Sequence, residues 1–73
     1  MKIKGTISHQ NIGMGFYGLT DEKGKQYQPL NLAKAFAQDG LRVQVTAKKL
    51  DVETMEMWGT PIEIQKIEKL SDQ

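Results

Sequence analysis

The sequence contains no cysteine, a single histidine and few aromatic residues: one tryptophan, two tyrosines and two phenylalanines. The absence of cysteine excludes disulfides and thiolate metal ligands, and one histidine cannot supply a cluster of metal ligands. The chain also lacks an apolar run near the roughly 18 residues of a membrane span, and it has no signal-peptide core after Met1. We therefore expect no metal, no other cofactor and no membrane association. We expect a soluble, cytoplasmic protein from the chain as it stands, or an exported one if a leader peptide preceded it.

An excess of charge of one sign is also lacking, because the chain has 10 Lys and Arg and 9 Asp and Glu. A domain with a strong electrostatic nucleic-acid footprint is much more basic, so nucleic acid is a possible but disfavoured partner. The 73 residues predict a single domain over 1–73. A chain this small buries only about 60% of the surface its unfolded form exposes, so a compact sheet core or a partner must stabilise it.

The middle of the chain predicts a short helix over Leu32–Asp39. Asn31 is a suitable N-cap, because its side-chain oxygen can accept a hydrogen bond from a free amide of the first turn. Leu32 and Phe36 are spaced i, i+4 and share one face, by which a helix of two turns would dock on a sheet. Gly40 can adopt the left-handed conformation that ends a helix.

Alternation of apolar and polar residues predicts the strands. Leu41, Val43, Val45 and Ala47 point one way in a strand that runs to about Leu50, with one face buried and one in water. The apolar positions of the last strand change parity, which predicts a β-bulge near Gln65–Lys66. The other predicted strands are Lys2–His9, Phe16–Asp21, Lys25–Gln28 and Ile62–Leu70. We expect loops at Gln10–Gly15 and Trp58–Pro61, a polar loop or a short ribbon at Asp51–Glu56, and a frayed tail at Ser71–Gln73.

Three strands, a short helix and two strands is the element order of the OB-fold, a partly open Greek-key barrel. The expected fold class is therefore mainly all-β, a five-stranded OB-like Greek-key barrel with one short helix between strands 3 and 4. The chain also resembles small OB-like domains of uncharacterised prokaryotic proteins over nearly its whole length. The motifs that carry this resemblance are GFYG (Gly15–Gly18), YxPLNL (Tyr27–Leu32), DGLRVxVTAK (Asp39–Lys48) and MWGTPIEIxxIEKL (Met57–Leu70). The resemblance implies a fold without an assigned activity.

Motifs of catalysis are weak. Gly13, Gly15 and Gly18 have the spacing of a dinucleotide-binding fingerprint. That fingerprint must be followed by a helix, whereas these glycines lead into a predicted strand. Ser8 and His9 are adjacent on a strand, so their side chains point to opposite faces and cannot easily form a nucleophile–base pair. We therefore predict that the protein is not an enzyme, and that His9 is a surface histidine.

A ligand face is predicted on strands 2 and 3, where OB-folds bind single strands and sugars. If Tyr17 and Leu19 face the core, Phe16 faces outward and can stack on a ligand. The alternative is that Phe16 packs under the nearby loop or helix and that the basic side chains of strand 4 are simply solvated. The candidate ligand face comprises Phe16, Lys25, Tyr27, Arg42 and Lys48.

A second candidate contact lies in the connection between strands 4 and 5, at Met55, Met57 and Trp58. Methionines adapt to irregular partners, but such residues also commonly close the end of a barrel. The sequence thus favours a noncatalytic OB-like binding or accessory domain, monomeric or weakly dimeric, whose partner is an unknown protein or small ligand. The alternative function is a single-stranded nucleic-acid-binding module that uses the face of strands 2 and 3.

Overall fold

The computed structural model describes residues 1–53 and 58–70. Within these ranges the strands form a closed barrel in the order β1-β2-β3-β5-β4. This arrangement confirms the predicted all-β, five-stranded barrel. The strands are β1 (Lys2–Gln10), β2 (Phe16–Asp21), β3 (Gln26–Pro29), β4 (Arg42–Lys49) and β5 (Thr60–Lys69).

The first strand, β1, closes the barrel because it pairs with two neighbours. Its Gly5–Gln10 part is antiparallel to β2, and its Lys2–Thr6 part is antiparallel to β4. Gly5 belongs to both ladders, and a Cβ atom there would collide with the carbonyl of Thr20. Glycine at this position therefore lets β1 turn the corner from one neighbour to the other.

The core fills the inside of the barrel with inward-facing residues from all five strands. The predicted alternation of β4 is confirmed, since Val43, Val45 and Ala47 are buried. Full burial of a Val, Leu or Ile side chain contributes about 1.5–3 kcal/mol, so these inward rows supply most of the barrel's apolar stabilisation. The buried apolar residues are Ile3, Ile7, Leu19, Tyr27, Val43, Val45, Ala47 and Ile62.

The predicted β-bulge in the last strand is confirmed. Thr46 pairs with Lys66 while Ala47 pairs with Ile64, so Gln65 is the extra residue between two ladder positions. The start of this strand differs from the prediction, because Thr60–Pro61 belongs to β5. Proline is tolerated there because it lies near the beginning of the strand.

The predicted helix over Leu32–Asp39 is wrong in length and type. The structure has a single 3-10 turn at Lys34–Phe36, and its N-cap residue is Ala33. Asn31 does not cap this turn, because its side chain bonds to the backbone of β5 instead. The prediction that this segment docks on the sheet through Leu32 and Phe36 is confirmed, since both side chains are partly buried against the core.

Gly40 ends this segment in the left-handed conformation that was expected, with φ of 90°. Its N–H donates to the carbonyl of Ile7 at 2.7 Å, and the N–H of Ile7 donates to the carbonyl of Leu41, also at 2.7 Å. The chain is therefore tied to β1 directly before β4 begins.

Candidate ligand-binding face

The outer surface of β2 is covered by the only tryptophan of the chain, Trp58. A Cβ atom on Gly18 would overlap Cζ3 and Cη2 of the Trp58 ring and would lie 3.1 Å from its Cε3. The indole therefore occupies the space that a side chain at position 18 would need. Glycine in a strand often marks such a close approach.

Phe16 lies two residues before Gly18, so its side chain stands on the same outer face of β2. Its ring centroid is 5.6 Å from that of Trp58, and the rings meet at 70° in an edge-to-face arrangement. Aromatic pairs prefer this geometry and add about 0.5–1.5 kcal/mol beyond their burial. Both side chains remain partly exposed. Phe16 thus stands on the outer side of β2 and packs on Trp58, a residue of the connection between β4 and β5, while its role as a ligand contact stays a prediction.

Uncharged polar side chains lie beside this aromatic pair. On β1, Ser8 is opposite Gly18 and Gln10 is opposite Phe16. Gln10 Nε2 donates to Ser8 Oγ at 2.9 Å. We call Ser8, Gln10, Phe16, Gly18 and Trp58 together the aromatic face. Its chemistry is stacking on partly exposed rings together with hydrogen bonding to neutral groups.

The loop between β1 and β2 exposes apolar side chains next to the aromatic face. Ile12 is 41% exposed and Met14 is fully exposed, and this loop leads directly into Phe16. The connection from β4 to β5, which carries Trp58, exposes Val52 at 51%. Two connections with exposed apolar residues therefore lead into the two aromatic residues of the face.

The two predicted basic residues of strand 4 are not on β2 or β3. Arg42 pairs with Glu22 at 3.4 Å, with both side chains well exposed. Lys48 is exposed opposite Glu63, in the ladder between β4 and β5. In the barrel order β4 is separated from β2 by β1, so neither residue lies on a strand adjacent to β2.

The two predicted residues near strand 3 are not members of the aromatic face. Tyr27 was predicted to lie on the ligand face, but it is only 8% exposed and belongs to the core. It therefore cannot serve as an outward stacking platform. The reason is parity, since Tyr27 pairs with the inward residue Leu19. Lys25 is exposed, and its ammonium lies 5.5 Å from the centroid of the Tyr27 ring. Of the predicted loop contacts, Trp58 is described above, whereas Met55 and Met57 lie outside the described residues.

An aromatic contact that the sequence reasoning missed lies at the end of β1. The rings of His9 and Tyr17 meet edge to face with centroids 5.0 Å apart. The backbone N–H of His9 donates to Asp39 Oδ1 at 2.9 Å. His9 is exposed, as predicted for a surface histidine. The pairing of β1 with β2 would have placed His9 beside Tyr17, had the register been predicted.

A metal-binding cluster and a membrane-spanning helix are both absent from residues 1–53 and 58–70. No group of three or more His, Asp or Glu side chains in these ranges could hold a metal ion. No helix in the same part of the chain has the length and apolar character needed to cross a membrane.

Fold and face together define a small five-stranded closed β-barrel with an aromatic patch on the outside of its second strand. No protein family, curated protein or solved structure matches the chain. The function is therefore inferred from the geometry of the barrel and its surface.

Proposed function

We propose that this protein is a noncatalytic OB-type binding or accessory domain that takes its ligand on the aromatic face. The observation that carries the proposal is the partly exposed, edge-to-face pair of Phe16 and Trp58 on the outside of β2. OB-folds bind ligands on the outer face of strands 2 and 3, between the loop from strand 1 to strand 2 and the loop from strand 4 to strand 5. Phe16 follows the first of these loops, and Trp58 belongs to the second.

A binding role without catalysis is supported by the partners of the potentially reactive side chains. The hydroxyl of Ser8 accepts a hydrogen bond from Gln10, and the ring of His9 packs on Tyr17. A nucleophile needs a base within hydrogen-bond reach. Ser8 and His9 are neighbours on β1 and point to opposite faces, so they do not form such a pair. We infer a monomer or weak dimer that binds an unidentified protein or small molecule.

Single-stranded nucleic acid is the second candidate ligand, and the aromatic pair itself favours it. Bases stack on exposed aromatic side chains, each contributing about 1–3 kcal/mol. Affinity for a polyanion, however, depends mainly on neutralised phosphates. Arg42, one of the predicted cations of the ligand face, is paired with Glu22. We therefore rank this candidate below the general binding role.

The experiment that tests the proposal is an NMR screen of the ¹⁵N-labelled protein against peptides, small polar molecules and short oligonucleotides. Trp58 is the only tryptophan, so its indole signal and its fluorescence report on the aromatic face alone. We expect binders to shift the Trp58 indole and the amides of Phe16–Gly18, and Phe16→Ala to weaken them. Leu30→Ala is the control, since Leu30 is 48% exposed on the loop that follows β3. Binders that map elsewhere and are unaffected by Phe16→Ala would overturn the proposal.

A further inference from the structure

A groove of about 320 Å³ opens at the other end of β1 from Phe16. It exists because β1 leaves β2 at Gly5, where the ladder with β2 ends and only the ladder with β4 continues. The start of β1 and the turn from β2 to β3 therefore diverge and leave a cleft between them. The groove is lined by Lys2, Ile3, Lys4, Asp21, Glu22, Lys23 and Tyr27.

Lysines stand on both walls of this groove. Lys2 and Lys4 lie on the β1 side and Lys23 on the turn side, and all three are exposed. Lys25 adds a fourth ammonium, 5.5 Å from the centroid of the Tyr27 ring. The ion pairs found among the described residues are Arg42–Glu22 and Lys66–Glu68, and neither involves these four lysines.

The two acidic residues of the groove are already engaged. Asp21 Oδ1 accepts the backbone N–H groups of Lys23 and Lys25, each at 2.9 Å. Glu22 faces Arg42, with Oε2 at 3.4 Å from the guanidinium. One oxygen of Asp21 therefore holds the turn and Glu22 is paired with Arg42, whereas the groove lysines take part in neither ion pair. The three lysines and two acids that line the groove have a formal balance of +1, and Lys25 beside Tyr27 raises it to +2.

We propose that this groove binds a small phosphorylated molecule, with the phosphate oxygens held between Lys2 and Lys4 on one wall and Lys23 on the other. Ammonium groups are compact cations that bind phosphate as point charges. The buried residues Ile3 and Tyr27 form an apolar base on which the rest of such a molecule can pack. The volume suits a ligand of modest size rather than a polymer, and the site is separate from the aromatic face.

The test uses the full chain, labelled with ¹⁵N and titrated with inorganic pyrophosphate. Ionic strength is held at about 0.01 M, where the screening length is about 30 Å. We expect saturable shifts of the amides of Lys2–Lys4 and Asp21–Lys25, with the Trp58 indole unmoved. Exposed ion pairs are individually weak, so each lysine replaced by glutamine should weaken binding about two- to fivefold. The double variant K4Q/K23Q should lose roughly tenfold if the two losses add.

Lys34→Gln is the matched control, because Lys34 is exposed on the 3-10 turn and does not line the groove. It should leave the affinity for pyrophosphate unchanged. Equal loss in K34Q and K4Q, or shifts of similar size at every lysine, would overturn the inference and indicate diffuse attraction to a cation-bearing surface. Stronger groove shifts with an octathymidylate than with pyrophosphate would also overturn it, since the ligand would then be a polymer. A ligand that shifts the Trp58 indole but not the groove amides would bind at the aromatic face, and it would test that site and not the groove.

Discussion

The side-chain amide of Asn31 pairs with the backbone of Ile64 as a strand residue would. Its Oδ1 accepts the Ile64 N–H at 2.7 Å, and its Nδ2 donates to the Ile64 carbonyl at 3.0 Å. One step earlier, the backbone N–H of Leu30 donates to the carbonyl of Ile62 at 3.1 Å. Asn31 therefore prolongs the ladder between β3 and β5 after the main chain has turned away, and it protects the edge of β5 just before the bulge.

Replacing Asn31 by alanine should destabilise the barrel by about 1–2 kcal/mol, because two hydrogen bonds of about 0.5–1.5 kcal/mol each are lost at a partly solvated edge. Urea-induced unfolding measures the change. Asn11→Ala is the control, since Asn11 is exposed on the loop between β1 and β2. Equal stability of the two variants would contradict the assigned role of Asn31.

Adding a methyl group at Gly18 should displace Trp58 from β2. Overpacking a close contact typically costs about 1–3 kcal/mol, and here the obstacle is a side chain that can move aside. We expect Gly18→Ala to shift the emission of Trp58 to longer wavelength and to lower the midpoint of urea unfolding. In the Trp58→Ala background the same substitution should cost less, because its obstacle is gone, and a double-mutant cycle measures the difference. Additive losses would place Trp58 away from Gly18.

A methyl group at Gly5 should be more damaging than one at Gly18. The atom that it meets is the backbone carbonyl oxygen of Thr20, which cannot swing away as a side chain can. We expect Gly5→Ala to cost about 3 kcal/mol or more, near the upper end for overpacking. That is a large share of the roughly 5 kcal/mol expected for a domain of this size. Circular dichroism during thermal unfolding checks this, and a loss no larger than that of Gly18→Ala would contradict the corner role of Gly5.

The parts of the fold that depend on local pattern could be predicted from the sequence. The strict alternation of Val43, Val45 and Ala47 identifies β4 and its buried face, and the change of parity after Ile64 locates the bulge. These signals survive because the period of a half-buried strand is fixed by backbone geometry. The left-handed conformation of Gly40 could also be predicted, since few residues other than glycine adopt a positive φ at low cost.

The parts that depend on distant partners could not be predicted. Asn31 has the composition of an N-cap, but its partner Ile64 is 33 residues away and competes successfully for the side chain. Tyr27 and Gln28 are both buried, so β3 shows no alternation from which its inward side could be read. The contact of Trp58 with Gly18 joins a loop to a strand and follows from the closure of the barrel, which leaves no local signal.

Weak binding to single-stranded oligonucleotides is the remaining expectation, and it follows from the charges around the aromatic face. Phe16 and Trp58 offer rings for one or two stacked bases at about 1–3 kcal/mol each. The neighbours Ser8 and Gln10 are neutral, and Arg42 is on β4 and paired with Glu22, so we expect few phosphates to be neutralised at this face. The dissociation constant should therefore exceed about 100 μM near physiological salt, close to the nonspecific regime. Fluorescence anisotropy with labelled mixed-sequence DNA and RNA at low and moderate salt measures it. Micromolar binding that persists at moderate salt and is weakened by Phe16→Ala but not by Leu30→Ala would reverse the ranking, because stacking alone would then be sufficient to hold the strand.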